Sequence, residues 1–113
     1  MIKGRIVLVP FPFDDLSSAK VRPAVCLTEP VGPHRHVVLA FISSQKPKSP
    51  LDTDVMINID EPTFHDTGLR VPSVLRLHRL MTVTTSLIQR ELGLLSTEMS
   101  SEVDRSLRKL FGL

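Results

Sequence analysis

Apolar and polar positions follow two different periods along this chain. Up to residue 95 the apolar side chains come in short runs or alternate with polar ones; beyond it they recur at helical spacing. Ile6, Val7, Leu8 and Val9 form a run that predicts a first strand over residues 5–9, apolar on both faces and closed by Pro10 and Pro12. The polar run from Asp14 to Val21 reads as a loop, and Arg22-Pro23 then leads into a second strand over 24–28. Glu29 to Pro33 is a turn by composition, and the apolar stretch 36–43 predicts a third strand. A loop rich in lysine and proline runs from Gln45 to Asp54. After it Val55, Ile57 and Ile59 alternate with Met56 and Asn58 as a fourth strand. Over 73–81 the alternation sets Val74, Arg76, His78 and Leu80 on one face and Leu75, Leu77, Arg79 and Met81 on the other. Residues 90–95 suit a last short strand. Met99, Val103, Leu107, Leu110 and Phe111 then define the apolar stripe of a terminal helix. Ser96 suits its N-cap, Glu98 its first turn, Arg108 and Lys109 its last, and Gly112 its end. Five or six short strands and one helix predict a mainly β fold: a small antiparallel barrel with a C-terminal α-helix.

Composition narrows the setting. A length of 113 residues fits one domain over 1–113, large enough to bury a core without disulfide or metal. With 42% hydrophobic and 23% charged residues the chain is globular, not disordered. The single cysteine, Cys26, excludes an intrachain disulfide and suits a reducing cytoplasm. No apolar run approaches the roughly 18 residues of a membrane span, and Pro10 and Pro12 cut the N-terminal run too short for a signal peptide. The net charge of +2 allows a polyanionic partner without requiring one.

Several residues offer chemistry. Proline holds the residue before it extended, so Arg22 carries a partly fixed guanidinium, a planar fork suited to phosphate, although most arginines are simply solvated. Ser43 and Ser44, followed by Gln45, end the third strand, where a hydroxyl can reach a ligand or close a turn on its own backbone. No serine sits in a nucleophile elbow. His34 and His36 share a strand face, and His65 stands beside Asp66. Such spacings occur in zinc sites, but no third ligand is fixed by the sequence, and no metal is expected. His78, in an alternating segment, reads as structural. Asp14 and Asp15 open a loop and can bond its backbone. Lys3, Arg5, Lys20, Arg22, Lys46 and Lys48 lie near strand ends and form a basic rim if the barrel gathers those ends. Phe11, Phe13, Phe41 and Phe64 are candidates for stacking on bases, with Phe41 the most core-like; there is no tyrosine or tryptophan.

The run Gly4-Arg5-Ile6-Val7-Leu8-Val9-Pro10-Phe11-Pro12-Phe13-Asp14-Asp15-Leu16-Ser17-Ser18-Ala19-Lys20-Val21-Arg22-Pro23-Ala24 resembles the start of PemK/MazF-type toxins of bacterial toxin–antitoxin systems. The resemblance continues, in order, through Ala40-Phe41-Ile42-Ser43-Ser44-Gln45, Thr67-Gly68-Leu69, Pro72-Ser73-Val74 and Leu92-Gly93-Leu94-Leu95-Ser96. It implies a compact barrel related to SH3-like and CcdB-like folds, usually homodimeric. It also implies a cytoplasmic endoribonuclease that cuts single-stranded RNA without a metal or other cofactor and is blocked by a cognate antitoxin. Arg22 matches the arginine of the family's Arg-Pro, Ser43 its hydroxyl residue, and residues 14–21 the loop bordering the RNA groove. Asp14, Asp15, Ser17, Ser18, Lys20 and Gln45 are thereby the expected RNA contacts. The chain departs from the family at Arg5, often acidic there, at Ser17, a glutamate in some members, and at Val21, a histidine in some. The general base is thus unassigned among Asp14, Asp15 and the histidines.

The leading expectation is attack of the ribose 2′-hydroxyl on the adjacent phosphorus, with Arg22 stabilising the charge that builds on the phosphate and Ser43 donating to it. A second reading is a non-catalytic toxin or binding module of the same fold acting on a protein such as a topoisomerase. A third is a metal-dependent hydrolase built on His34, His36 and His65.

Overall fold

The computed structural model describes residues 1–12 and 19–113. Its strands are β1 (Arg5–Pro12), β2 (Ala19–Cys26), β3 (His36–Ser43), β4 (Asp54–Ile57), β5 (Ser73–Thr84) and β6 (Arg90–Leu94), followed by helix α1 (Thr97–Phe111). One curled antiparallel sheet holds them in the order β4-β5-β3-β2-β1-β6. The expected barrel and helix are present, and so is every expected strand; the differences lie in where strands begin, end and bend.

The first strand does not stop at Pro10. Pro10 pairs with Val21 and Pro12 with Ala19. The Leu8 carbonyl accepts from the Gln89 N–H at 2.9 Å, so the even-numbered polar groups of β1 face β6. The β6 pairing ends at Leu8–Arg90, and both prolines lie beyond it. Their missing N–H groups therefore face a side that no strand pairs among the described residues, where no ladder bond is lost. The second strand correspondingly begins at Ala19, so Ala19 to Val21 is strand, and Arg22 lies within β2 opposite Val9 instead of at a strand's start. At β4 the alternation ends with Ile57, and Ile59 is exposed.

The larger correction concerns β5. Ala40 pairs with Leu80 but Phe41 with Arg76, so Leu77, His78 and Arg79 bulge out against no β3 partner. Three extra residues reverse the side-chain alternation. Leu75 and Leu77 pack with Ile6, Val25, Ala40 and Ile42 beneath Met99 and Val103 of α1. Val83 and Met81 join Val7, Val9, Phe11, Ala24, Cys26, Val37, Leu39 and Phe41 on the opposite face. The single face expected for Leu75, Leu77, Arg79 and Met81 is thus divided between two cores.

At α1, Ser96 caps as expected: its Oγ accepts from the Met99 N–H at 3.1 Å, and Gly112 ends the helix at φ 70°. Phe111 departs from the expected stripe and is exposed, because it follows Leu110 by about 100° around the helix. Short 3₁₀ turns at Phe64–Thr67 and Thr85–Leu87 carry no periodic signal and have no counterpart in the sequence reading.

The N-terminus is tied down by Glu29. Its carboxylate accepts from the Ile2 N–H at 2.8 Å and the Lys3 N–H at 3.2 Å. The Ile2 bond above all lowers its pKa below the ordinary 4.5; burial opposes it, and the Lys3 bond and the nearby positive charges add to the lowering. A depressed carboxylate stabilises the fold fully above its unfolded pKa and loses that contribution as pH falls through the folded one. Glu29→Gln is therefore expected to lower the urea midpoint at pH 7, with the gap to wild type closing as pH falls below 4.5. A gap that stays constant with pH refutes the linkage.

Candidate functional site

Strand register brings Arg22 and Ser43 to one place. The β2–β3 ladder pairs Cys26 with Leu39, Val25 with Ala40 and Ala24 with Phe41, and it ends there. Two residues further in the same register, Arg22 stands opposite Ser43. Both side chains continue the face that carries Ala24, Cys26, Leu39 and Phe41. Where the ladder stops, a groove of about 460 Å³ opens. Arg22, Ser43, Ser44 and Gln45 line one part of it, Leu69, Arg70, Val71 and Ser73 another, and Arg79 reaches in from the β5 bulge.

The lining is cationic. Three guanidinium groups face the groove together with three serines and a glutamine, and no carboxylate or histidine lines it among the described residues. Arg22 is half-buried; Gln45, Arg70 and Arg79 are exposed. The Arg79 guanidinium carbon lies over the Phe41 ring, 4.9 Å from its centroid. Phe41 in turn meets Phe11 edge to face, with centroids 5.2 Å apart. Such a surface suits a phosphodiester backbone: positive charge and hydrogen-bond donors on a partly apolar floor.

Ser43 does both things a serine at a strand end can do. Its Oγ accepts from the Gln45 N–H at 3.1 Å and lies 3.3 Å from the Gln45 carbonyl, to which it donates, closing a local turn. It also lines the groove and an adjoining pocket of about 100 Å³ with Lys46, Met56 and Asn58.

The other expected positions divide. Gln45 joins Arg22 and Ser43. Lys20 is exposed on β2, two residues before Arg22, but outside the groove lining. Asp14, Asp15, Ser17 and Ser18, with Phe13, lie outside the described residues. The expected basic rim is only partly assembled. Lys3 faces Asp104 at 3.9 Å and Arg5 pairs with Glu91, both away from the groove. His34 and His36 stand together, ring centroids 5.9 Å apart. They lie at the opposite end of β3 from Ser43, roughly 23 Å away at strand rise. His65 sits on the Phe64–Thr67 turn and lines no part of the groove. Among the described residues no three His, Cys, Asp or Glu side chains gather to hold a metal ion. No helix is long and apolar enough to cross a membrane. Cys26 is fully buried, and desolvation chiefly, then the charges of Glu29 and Glu91 against that of Arg5, pushes its thiol up to about 11, which leaves it protonated and unreactive.

Sequence reasoning missed Arg70 and Arg79. The Thr67-Gly68-Leu69 run is the nearest signal for Arg70. Arg79 had none, because the face it takes depends on the bulge.

Comparison with solved structures gives the fold a context. The Mycobacterium tuberculosis toxin MazF-mt6 superposes with a TM-score of 0.72 at 22% identity, over 96% of this chain and 97% of that one. A mycobacterial endoribonuclease solved with its cognate antitoxin gives 0.71 at 12% identity, over 100% and 96%. MazF in the MazE–MazF complex of Deinococcus radiodurans gives 0.70 at 15%, over 100% and 96%. At these identities the likeness is one of fold. No curated protein matches the chain. The family model, by contrast, extends over residues 2–111, both flanks of the groove included. On that match the chain belongs to the PemK-like, MazF-like toxins of type II toxin–antitoxin systems.

Proposed function

We propose that this toxin is a metal-independent, sequence-specific endoribonuclease that cleaves single-stranded RNA in the groove between Arg22, Ser43 and Arg70. The observation that carries the reading is the convergence of Arg22 and Ser43 on one groove that Arg70 and Arg79 also line. In the reaction the substrate supplies the nucleophile. The ribose 2′-oxygen attacks the adjacent phosphorus, the bond to the 5′-oxygen breaks, and a 2′,3′-cyclic phosphate remains. The 2′-hydroxyl proton is lost and the departing oxygen gains one. DNA, lacking that hydroxyl, is not cut. Arg22 neutralises the charge that builds on the non-bridging oxygens, and its β2 position pre-orients it. Ser43 donates to the same phosphate by turning its hydroxyl from the Gln45 carbonyl to the phosphoryl oxygen, while still accepting the Gln45 N–H. Gln45, Lys20 and the segment containing Asp14, Asp15, Ser17 and Ser18 border the path of the RNA.

The protein works in the cytoplasm as a single-domain homodimer, and a cognate antitoxin blocks the groove. Structural relatives solved as an endoribonuclease in complex with its cognate antitoxin and as MazE–MazF support an antitoxin partner.

Incubation with a defined single-stranded RNA, with and without chelator, followed by mapping of product ends, tests the reading. Cleavage at a short sequence, unaffected by chelator and leaving a cyclic phosphate, is expected. No cleavage of any RNA favours a non-catalytic toxin that acts on a protein, and cleavage abolished by chelator favours a metal-dependent hydrolase.

A further inference from the structure

We infer that Arg79, laid over Phe41, is a stacking platform for one unpaired base of the bound RNA. The inference rests on the RNA reading of the groove and assigns a residue within it. An RNA groove needs flat surfaces on which unstacked bases can lie, commonly aromatic rings or guanidinium planes. This chain has no tyrosine or tryptophan. Phe13 lies outside the described residues; among the other phenylalanines, Phe11, Phe41 and Phe64 are buried, and exposed Phe111 is at the far end of α1. The ring that borders the groove, Phe41, is covered by the Arg79 guanidinium.

That guanidinium is well held. Phe41 is only 9% exposed and is braced edge to face by Phe11. A cation over such a ring is attracted to its electron-rich face, which fixes the guanidinium position. Arg79 is nonetheless exposed and lines the groove, so its outer side is open to a ligand. Its place in the β5 bulge, free of a β3 partner, is what brings it over Phe41, a residue of the neighbouring strand. A base arriving there would complete a stack of base, guanidinium and phenyl ring beside Arg22. Arg70, exposed and resting on no ring, is a backbone contact by comparison.

Stacking and charge are separated by Arg79→Lys, which keeps the charge and removes the plane. Binding of a short fluorescent single-stranded RNA, carrying a 2′-deoxy sugar at the mapped cleavage position so that it is not cut, is measured by anisotropy for wild type and Arg79→Lys, on intact RNA and on a series with one abasic site at each position in turn, with cleavage followed separately on the unmodified RNA. Wild type is expected to lose about 10- to 100-fold in affinity at one abasic position beyond the effect elsewhere. Arg79→Lys is expected to bind intact RNA weaker by a similar factor and to be indifferent to that position, with an unchanged far-UV spectrum. If Arg79→Lys binds intact RNA like wild type, or keeps the same abasic profile, the inference falls while the ribonuclease reading stands. RNA that binds with the Arg79-dependent profile but is never cut supports the platform and removes the enzyme. If wild type binds no RNA, both fall.

Discussion

Replacing Arg22 by alanine is expected to slow single-turnover cleavage of a defined single-stranded RNA by about 100- to 1000-fold, the usual cost of losing one preorganised charge stabiliser. The argument is geometric. Arg22 sits within β2, paired with Val9 on one side, and its side chain enters the groove at the point where the β2–β3 ladder ends. A rigid strand holds it at the transition state's charge before substrate arrives. Arg22→Lys keeps a positive charge but not the planar fork, so partial recovery is expected. Ser43→Ala should cost less, because that hydroxyl shares its work with turn closure; Ser43→Thr, which keeps both bonds, should stay near wild type. If both residues meet one phosphate, the double variant should fall short of the summed single effects. Far-UV circular dichroism and the melting temperature check that the variants are folded. A folded Arg22→Ala protein that cleaves at the wild-type rate removes the assignment.

Gly68→Ala is expected to destabilise the fold by at least about 2 kcal/mol more than Gly32→Ala, although both glycines hold nearly the same left-handed backbone. Their φ angles are 73° and 75°. A methyl group on Gly32 meets nothing within 4 Å, so that substitution costs only the backbone strain, about 1–2 kcal/mol. A methyl group on Gly68 would stand 2.1 Å from the Leu92 carbonyl oxygen, inside contact distance of backbone that cannot swing away. Gly93 presents the reciprocal case, 2.1 Å from the Asp66 carbonyl oxygen. The turn at Phe64–Thr67 and strand β6 thus approach backbone to backbone, each through a glycine of the other's neighbourhood. The excess loss at Gly68 amounts to a fall in melting temperature on the order of 10 °C. Because the chain has no tryptophan or tyrosine, unfolding is best followed by far-UV circular dichroism. Equal destabilisation at Gly32 and Gly68 shows that the turn and β6 can separate at little cost.

What the sequence made legible is what depends on near neighbours. The helix with its Ser96 cap, the alternation at Val55 and Ile57 and the buried run at Ile6 to Val9 are set by local period, and each is found. What it hid depends on partners distant in the chain. Pro10 and Pro12 look like strand breakers until β6 is seen to end at Arg90, leaving their side of β1 unpaired among the described residues. Arg22 looks like an arginine at the entry to a strand until β1 is seen to continue opposite it. Ser43 was the position where two readings competed, and its bonds to Gln45 with its place on the groove satisfy both. Arg79 is hidden for the same reason: which way it faces is fixed by a ladder offset against β3, not by any spacing within its own segment. The family resemblance located Arg22 and Ser43, but only the register explains why a strand residue and a strand-end residue, 21 positions apart in the chain, share one surface.

The odd count of the β5 bulge makes the length of this strand inflexible. With three residues set aside, the strand serves one core through Leu75 and Leu77 and the other through Met81 and Val83. Deleting one residue between Leu77 and Leu80 would restore regular alternation and turn one half of the strand inside out, driving leucine or valine into solvent and charged groups inward. A segment that resembles a tolerant surface irregularity is therefore expected to accept substitutions at His78 far more readily than any insertion or deletion, and homologous chains that keep both cores must preserve its parity.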